Sequence, residues 1–154
     1  MKKRRKYKSS FIFIISVFFV LIQGFIQAGC GKKDSTPLAS FERDDLELIA
    51  QAYRNGQSDL FVTSSGIVDR LLSDDLKGSR HQRFIIRLAN GQTLLVSHNI
   101  DLASRIEQIQ IGDRIFFRGE YEWNDKGGVI HWTHHDPSGR QSGGWIEHRG
   151  KRYR

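Results

Sequence analysis

A chain of 154 residues supports one compact domain plus accessory segments, and a formal net charge of +7 points first towards polyanionic partners. The position of the charge weakens that reading, because six of the 24 Lys and Arg fall within the first ten residues and leave 18 to face 17 Asp and Glu. The remainder is near neutral, so nucleic acid is a weakly supported partner, and a single cysteine excludes an internal disulfide scaffold.

Residues 1–10 are basic and residues 11–22 are apolar apart from Ser16, with a weaker apolar continuation to Cys30. A basic region, an apolar region and small residues in that order read as a secretory signal peptide. Gln27-Ala28-Gly29-Cys30 resembles a bacterial lipoprotein signal, with Cys30 as the lipidation site and Gln27 where an aliphatic residue is usual. An uncleaved anchor is the rival, since about eighteen mostly apolar residues just span a bilayer. Simple cleavage and release is a third reading. In each case the basic end stays in the cytoplasm and the domain lies outside it, on the periplasmic side or the cell surface. Residues 1–29 are thus assigned to a signal peptide or anchor, and the polar residues 30–40, with Pro37, to a tether.

Residues 41–58 have helical spacing, with Leu46, Ile49 and Tyr53 on one face and Asn55-Gly56 as the stop. A strand-rich region, 59–137, follows. Residues 60–72 read as a strand bent or bulged at Gly66, and 73–80 as a polar loop. Residues 81–88 and 93–100 flank Asn90-Gly91, a strong hairpin signal. Asp101 is placed to cap a short helix running to about Gln108, and Ile111-Gly112-Asp113 is a turn. Residues 114–123 and 129–136 form a second hairpin. Gly143-Gly144-Trp145-Ile146 adds a short final element to a Gly/Arg-rich tail, 138–154, whose basic end is expected to be solvated.

Five strands with a short helix between the third and fourth resemble an OB-fold barrel, so the expected class is mainly β. An SH3-like barrel or a small open sheet are the alternatives. With Asn90-Gly91 as a two-residue turn, Arg83 faces His98 and His81 faces Ile100. Phe84, Ile86, Leu88 and Leu95 then line the core, while His81, Arg83, Arg87 and His98 point outward. In the second hairpin Ile115, Phe117, Tyr121, Ile130 and Trp132 share the inner face. Arg118, Glu120, Glu122, His131, Thr133 and His135 share the outer one, with Glu120 or Glu122 opposite His131. The OB resemblance implies that these outer residues form one continuous surface, in a region where such barrels bind oligonucleotides or oligosaccharides.

Residues 119–137 hold three of the six histidines and two of the three tryptophans, which marks a site. His131 and His135 lie about 13 Å apart on an extended strand and cannot share an ion. Candidate metal sets are His81 and His98 with a residue of the fifth strand, or His134, His135 and Asp136 at the Pro137 corner; such donors suit a divalent transition metal. The alternatives are a structural histidine network with Glu120 or Glu122, or acid–base chemistry. Arg80, Arg83 and Arg118 either hold a phosphate or carboxylate or pair with Glu120, Glu122 and Asp75. Trp123 and Trp132 are core candidates, and Trp123, at the turn, is also placed to stack on a base or sugar. Gly127-Gly128 is read as turn geometry. No phosphate loop, dinucleotide fingerprint or nucleophile elbow is present.

Residues 78–84, 98–103, 119–124, 131–137 and 144–146 together resemble the bacterial family known as domain of unknown function 3465, over roughly residues 60–153. The resemblance implies no activity. Function is therefore argued from the residues. The first expectation is a membrane-tethered extracytoplasmic binding module, with an oligomeric or anionic envelope ligand held by Arg83, His98, Arg118, Trp123 and His131. The second is a metal-dependent hydrolase of phosphodiesterase or nuclease type, with Glu120 or Glu122 as base and Arg83 stabilising developing charge. The third is a structural interaction protein.

Overall fold

A computed structural model describes residues 44–140 and 143–154. The expected signal segment, Cys30, the expected tether and the first residues of the expected helix lie outside the described residues. Helix α1 (Leu46–Asn55) buries Ile49, Ala50 and Ala52 and ends at Gly56 in the left-handed conformation (φ 65°). Asp45 precedes it without capping it. Its carboxylate instead accepts the Thr63 N–H at 2.8 Å, and its own N–H donates to the Thr63 carbonyl at 2.8 Å, which fastens the helix start to the first strand.

Five strands close a barrel: β1 (Leu60–Leu71), β2 (His81–Arg87), β3 (Thr93–Asn99), β4 (Arg114–Glu122) and β5 (Val129–His131). The order is β1-β2-β3-β5-β4, with β4 returning to β1 and a parallel β3–β5 pair, which is the arrangement expected of an OB-like barrel. β1 serves two partners: Leu60 to Ile67 pair with β4, and Ile67 to Leu71 pair with β2. The register shift lies between Val68 and Arg70 rather than at Gly66. Gly66 sits where β1 changes partner, and a Cβ there would come within 3.1 Å of the Arg87 carbonyl oxygen.

Alternation sends Phe84 and Ile86 from β2, Leu94 and Val96 from β3, Ile115, Phe117 and Tyr121 from β4, and Ile130 from β5 into one closed core. Burying each such side chain contributes roughly 1.5–3 kcal/mol before the entropy of ordering it is subtracted.

Three expectations are corrected. First, Arg87 pairs with Thr93, so the hairpin loop encloses five residues, closed by Leu88 N–H to the Gln92 carbonyl at 2.9 Å and Gly91 N–H to the Leu88 carbonyl at 3.0 Å. Gln82 rather than Arg83 therefore faces His98. A one-residue slip exchanges every face of β3, placing Leu94, Val96 and His98 inside. Second, residues 100–113 form turns instead of the expected short helix. The Asn99 side chain accepts the N–H groups of Asp101 (2.9 Å) and Leu102 (3.3 Å), which gives the backbone a local alternative to a helical turn. Asp101 caps no helix; its carboxylate takes the Arg80 N–H at 2.7 Å and the Arg80 Nε at 2.6 Å.

Third, the C-terminal tail is structural. It forms β6 (Trp145–His148) and β7 (Lys151–Tyr153), and Ile146 and Tyr153 join the core cluster. β6 pairs with Ile115 to Arg118 and β5 with Glu120 to Glu122, so both use β4 and leave Gly119 between them. Of the residues between β5 and β6, the structure describes 132–140 and 143–144.

Candidate functional site

The second hairpin keeps the faces that its alternation predicts, and of the two expected partners Glu120 stands opposite His131, with Glu122 opposite Val129. Glu120, Glu122 and His131 accordingly share the outer face. The β1–β4 ladder adds a fourth group. Leu60 pairs with Tyr121, and the Trp123 N–H donates to Ser58 Oγ at 2.9 Å, which brings Asp59 beside Glu122. Asp59 adopts φ 62°, a left-handed conformation that Asp tolerates better than most residues. One carboxylate oxygen from each of Asp59, Glu120 and Glu122 lies within 4.8 Å of the others. His131 Nε2 stands 3.8 Å from Glu120 and 3.6 Å from Glu122, too far for a hydrogen bond. That nitrogen is shielded from solvent and has no hydrogen-bond partner. Among the described residues, His131 is the one cationic-capable side chain within ion-pair distance of these glutamates, and no Lys or Arg pairs with any of the three carboxylates.

The other histidines are held elsewhere. His98 is fully buried: its Nε2–H donates to the Ser104 carbonyl at 3.1 Å and its Nδ1 accepts from the Thr133 hydroxyl at 2.8 Å. The carbonyl can only accept, so these contacts fix the tautomer. Burial is the largest cause that pushes its pKa down, from 6.5 to about 4, against the Ser104 hydrogen bond. His81 Nδ1 bonds the Ser79 carbonyl at 2.8 Å, and His134 Nδ1 bonds the His135 carbonyl at 2.7 Å. Asp136 closes a turn onto Ser138 and Arg140. His135 is exposed. The candidate sets built on His81 and His98, or on His134, His135 and Asp136, are thus not brought together; among the described residues Asp59, Glu120 and Glu122 are.

The expected anion surface is divided in the same way. Arg83 stays on the outer face with Nε bonded to the Ser73 carbonyl at 3.0 Å. Arg118 lies over the Phe61 ring at 4.7 Å and reaches Thr63 Oγ1 at 3.4 Å. His98 has left that surface for the core. Trp123 is 43% exposed, with Nε1 bonded to the Tyr53 carbonyl at 3.0 Å, so its indole is fixed against the last turn of α1 rather than in the core. Tyr121 is the buried aromatic of that segment. Trp132 leaves the strand with φ 53°, which is why Thr133 turns inward to His98 instead of continuing the outer face.

Asp59 carries no motif of its own. Only the β1–β4 register places it, and local spacing does not reveal that register.

Fold and site together define a closed five-stranded OB-like barrel extended by a β6–β7 hairpin, with a carboxylate–imidazole cluster on its outer face. The chain belongs to the family described as Protein of unknown function (DUF3465), whose model matches residues 35–154. No curated protein matches it.

Proposed function

We propose that the chain is a membrane-tethered, extracytoplasmic binding module whose outer β4–β5 face takes a divalent cation. One observation carries the cation: three carboxylates converge without a Lys or Arg of the described residues to neutralise them. Like charges gathered this closely are stabilised by an external cation. The spacing suits one, because oxygens on opposite sides of a calcium ion stand about 4.6–5.2 Å apart, twice the usual bond length. Oxygen donors favour calcium, magnesium or manganese, and the unpartnered His131 Nε2 adds a nitrogen donor that favours manganese or zinc. Support for the tether is the basic-then-apolar start and Cys30.

A metal-dependent hydrolase is the second reading, because it uses the same cluster. It ranks lower on chemistry: if Glu120 and Glu122 both ligate the ion, neither is free as general base.

The test is equilibrium dialysis of the full chain in mild detergent, without a histidine tag, against calcium, manganese and zinc. We expect one ion per chain. Glu120→Gln/Glu122→Gln should weaken every ion by about tenfold or more, roughly 1.4 kcal/mol. His131→Ala should weaken manganese and zinc and spare calcium. Wild-type protein that stays metal-free at millimolar ion, or a double variant that binds as well, would overturn the cation reading. Cleavage of model diesters to a phosphomonoester and an alcohol by the loaded wild type would promote the hydrolase.

A further inference from the structure

We propose a second binding site, for a small amphiphilic oxyanion, in the cleft between the end of β1, the start of β2 and the turns that follow β3. The cleft has a volume of about 360 Å³, within the usual range for a small-molecule site. It shares no residue with the carboxylate cluster, so it stands or falls apart from the cation reading.

Its far wall is preorganised. Gln82 is buried, and its carboxamide makes both of its bonds to one backbone unit: Nε2 donates to the Ile106 carbonyl at 3.0 Å and Oε1 accepts the Ile106 N–H at 2.8 Å. This pair replaces a strand contact that residues 104–109 lack and locks them against β2. A wall held in this way does not have to be ordered when a ligand enters.

Two guanidinium groups supply the charge. The Arg83 Nε–H is spent on the Ser73 carbonyl, which sets the plane of the group, and neither Nη has a partner among the described residues. Two parallel N–H groups match the two oxygens of a carboxylate or phosphate monoester. Arg105 lines the same cleft and is anchored through one Nη to Asp74. The Asp74 carboxylate is already engaged there and holds Arg105 in place. Glu107 is the remaining acid of the lining, and it is solvent-exposed.

The apolar half of the cleft comes from Leu71, Leu72 and Ile109. Leu71 is 44% exposed at the end of β1, so a large part of its apolar surface is open to solvent. An ion such as inorganic phosphate would leave it wet; a ligand with a short hydrocarbon body would cover it. The cleft therefore fits an oxyanion head at Arg83 and an apolar body over Leu71.

The test uses the full chain in lipid nanodiscs, with empty discs subtracted, titrated with hexanoate and hexyl phosphate. Acetate, inorganic phosphate and hexanol separate head from body, and the two hexyl compounds separate carboxylate from phosphate. We expect saturable binding of at least one hexyl anion, with the matching head alone and hexanol each weaker by tenfold or more. Arg83→Ala should lose tenfold or more. Arg83→Lys, which keeps charge but not the paired N–H groups, should lose nearly as much, and Leu71→Ser should lose a few-fold. Glu120→Gln/Glu122→Gln should bind as wild type. Equal binding by wild type and a folded Arg83→Lys, tight binding of hexanol, or no saturable binding of either hexyl anion at millimolar concentration would each overturn the proposal.

Discussion

His98 is the side chain whose chemistry departs furthest from its sequence context. On a two-residue hairpin turn it would be a surface ligand; the five-residue loop makes it a core residue that ties β3, the following turns and Thr133 together. Its pKa is lowered, from 6.5 to about 4, chiefly by burial, so the folded state resists a proton that the unfolded chain accepts. Above about pH 6.5 both states are neutral and the group contributes nothing to pH dependence. As pH falls through 6.5 towards 4 the unfolded state gains the proton first, and stability drops by up to 1.36 kcal/mol per pH unit, roughly 3 kcal/mol across the window. Below the folded pKa both states are protonated and the loss levels off. Urea unfolding at pH 7 and pH 5 checks this. Wild type should lose about 2 kcal/mol between the two, while a folded His98→Gln variant, less stable at pH 7, should lose much less. Equal losses would remove His98 as the cause. Thr133→Val should cost about 1 kcal/mol at pH 7 by leaving Nδ1 unsatisfied.

Among the elements, β4 organises the molecule, and the contact between Gly119 and residues 130–133 controls how β5 and β6 share it. A Cβ on Gly119 would stand 2.5 Å from the His131 carbonyl oxygen and 2.9 Å from Ile130 Cγ2. A Cβ on Gly144 would overlap the Trp132 and Arg118 carbonyl oxygens. Backbone atoms cannot swing aside as a side-chain tip can, so Gly119→Ala and Gly144→Ala should each cost about 3 kcal/mol, at the upper end for overpacking. Gly139→Ala, with nothing within 4 Å of the added carbon, should cost about 1 kcal/mol from its left-handed backbone alone. Thermal melts of the three variants give the order; a Gly119→Ala melt no lower than that of Gly139→Ala would refute the contact. The same element shows what was legible in advance. The alternation of β4 and β5 predicted Ile115, Phe117, Tyr121 and Ile130 inside and His131 opposite Glu120 or Glu122, because apolar and polar residues alternate there without ambiguity; only the turn length chose Glu120. The first hairpin misled because Leu94 and Leu95 are both apolar: either register buries one of them, and Asn90-Gly91 favoured the shorter turn. The tail misled through composition, since Arg149, Lys151 and Arg152 mask a strand pair whose inward residues, Ile146 and Tyr153, are few. Asp59 was illegible for a different reason: its partners lie more than sixty positions away, and local periodicity carries no information about which strand closes a barrel.

At the scale of the whole molecule, the separation of charge decides where the cation face would work. On the proposed reading, the six cations and absent acids of the first ten residues, followed by an apolar run, are the pattern of a segment that would insert with its basic end in the cytoplasm. A single Cys30 at the end of that run then distinguishes three modes of attachment. If Cys30 is lipidated, the mature chain starts there and the remaining domain contains no thiol, so its stability rests on the core and its ligands. Expression in a bacterial host with radiolabelled palmitate separates the modes. We expect a labelled protein that sediments with membranes, is shortened by its leader, and is lost from the labelled band in Cys30→Ser. An unlabelled, full-length membrane protein unaffected by Cys30→Ser would establish the uncleaved anchor. A shortened, unlabelled protein free in the extracytoplasmic fraction would remove the tether. The tether would hold the barrel close to a membrane surface, where divalent cations gather against anionic lipid. A surface-tethered domain therefore meets more cation than one free in solution, so a carboxylate cluster of modest affinity would fill there first. Loading measured on liposomes with anionic lipid should exceed loading on neutral ones at the same total ion, and equal loading would detach the cation site from the membrane.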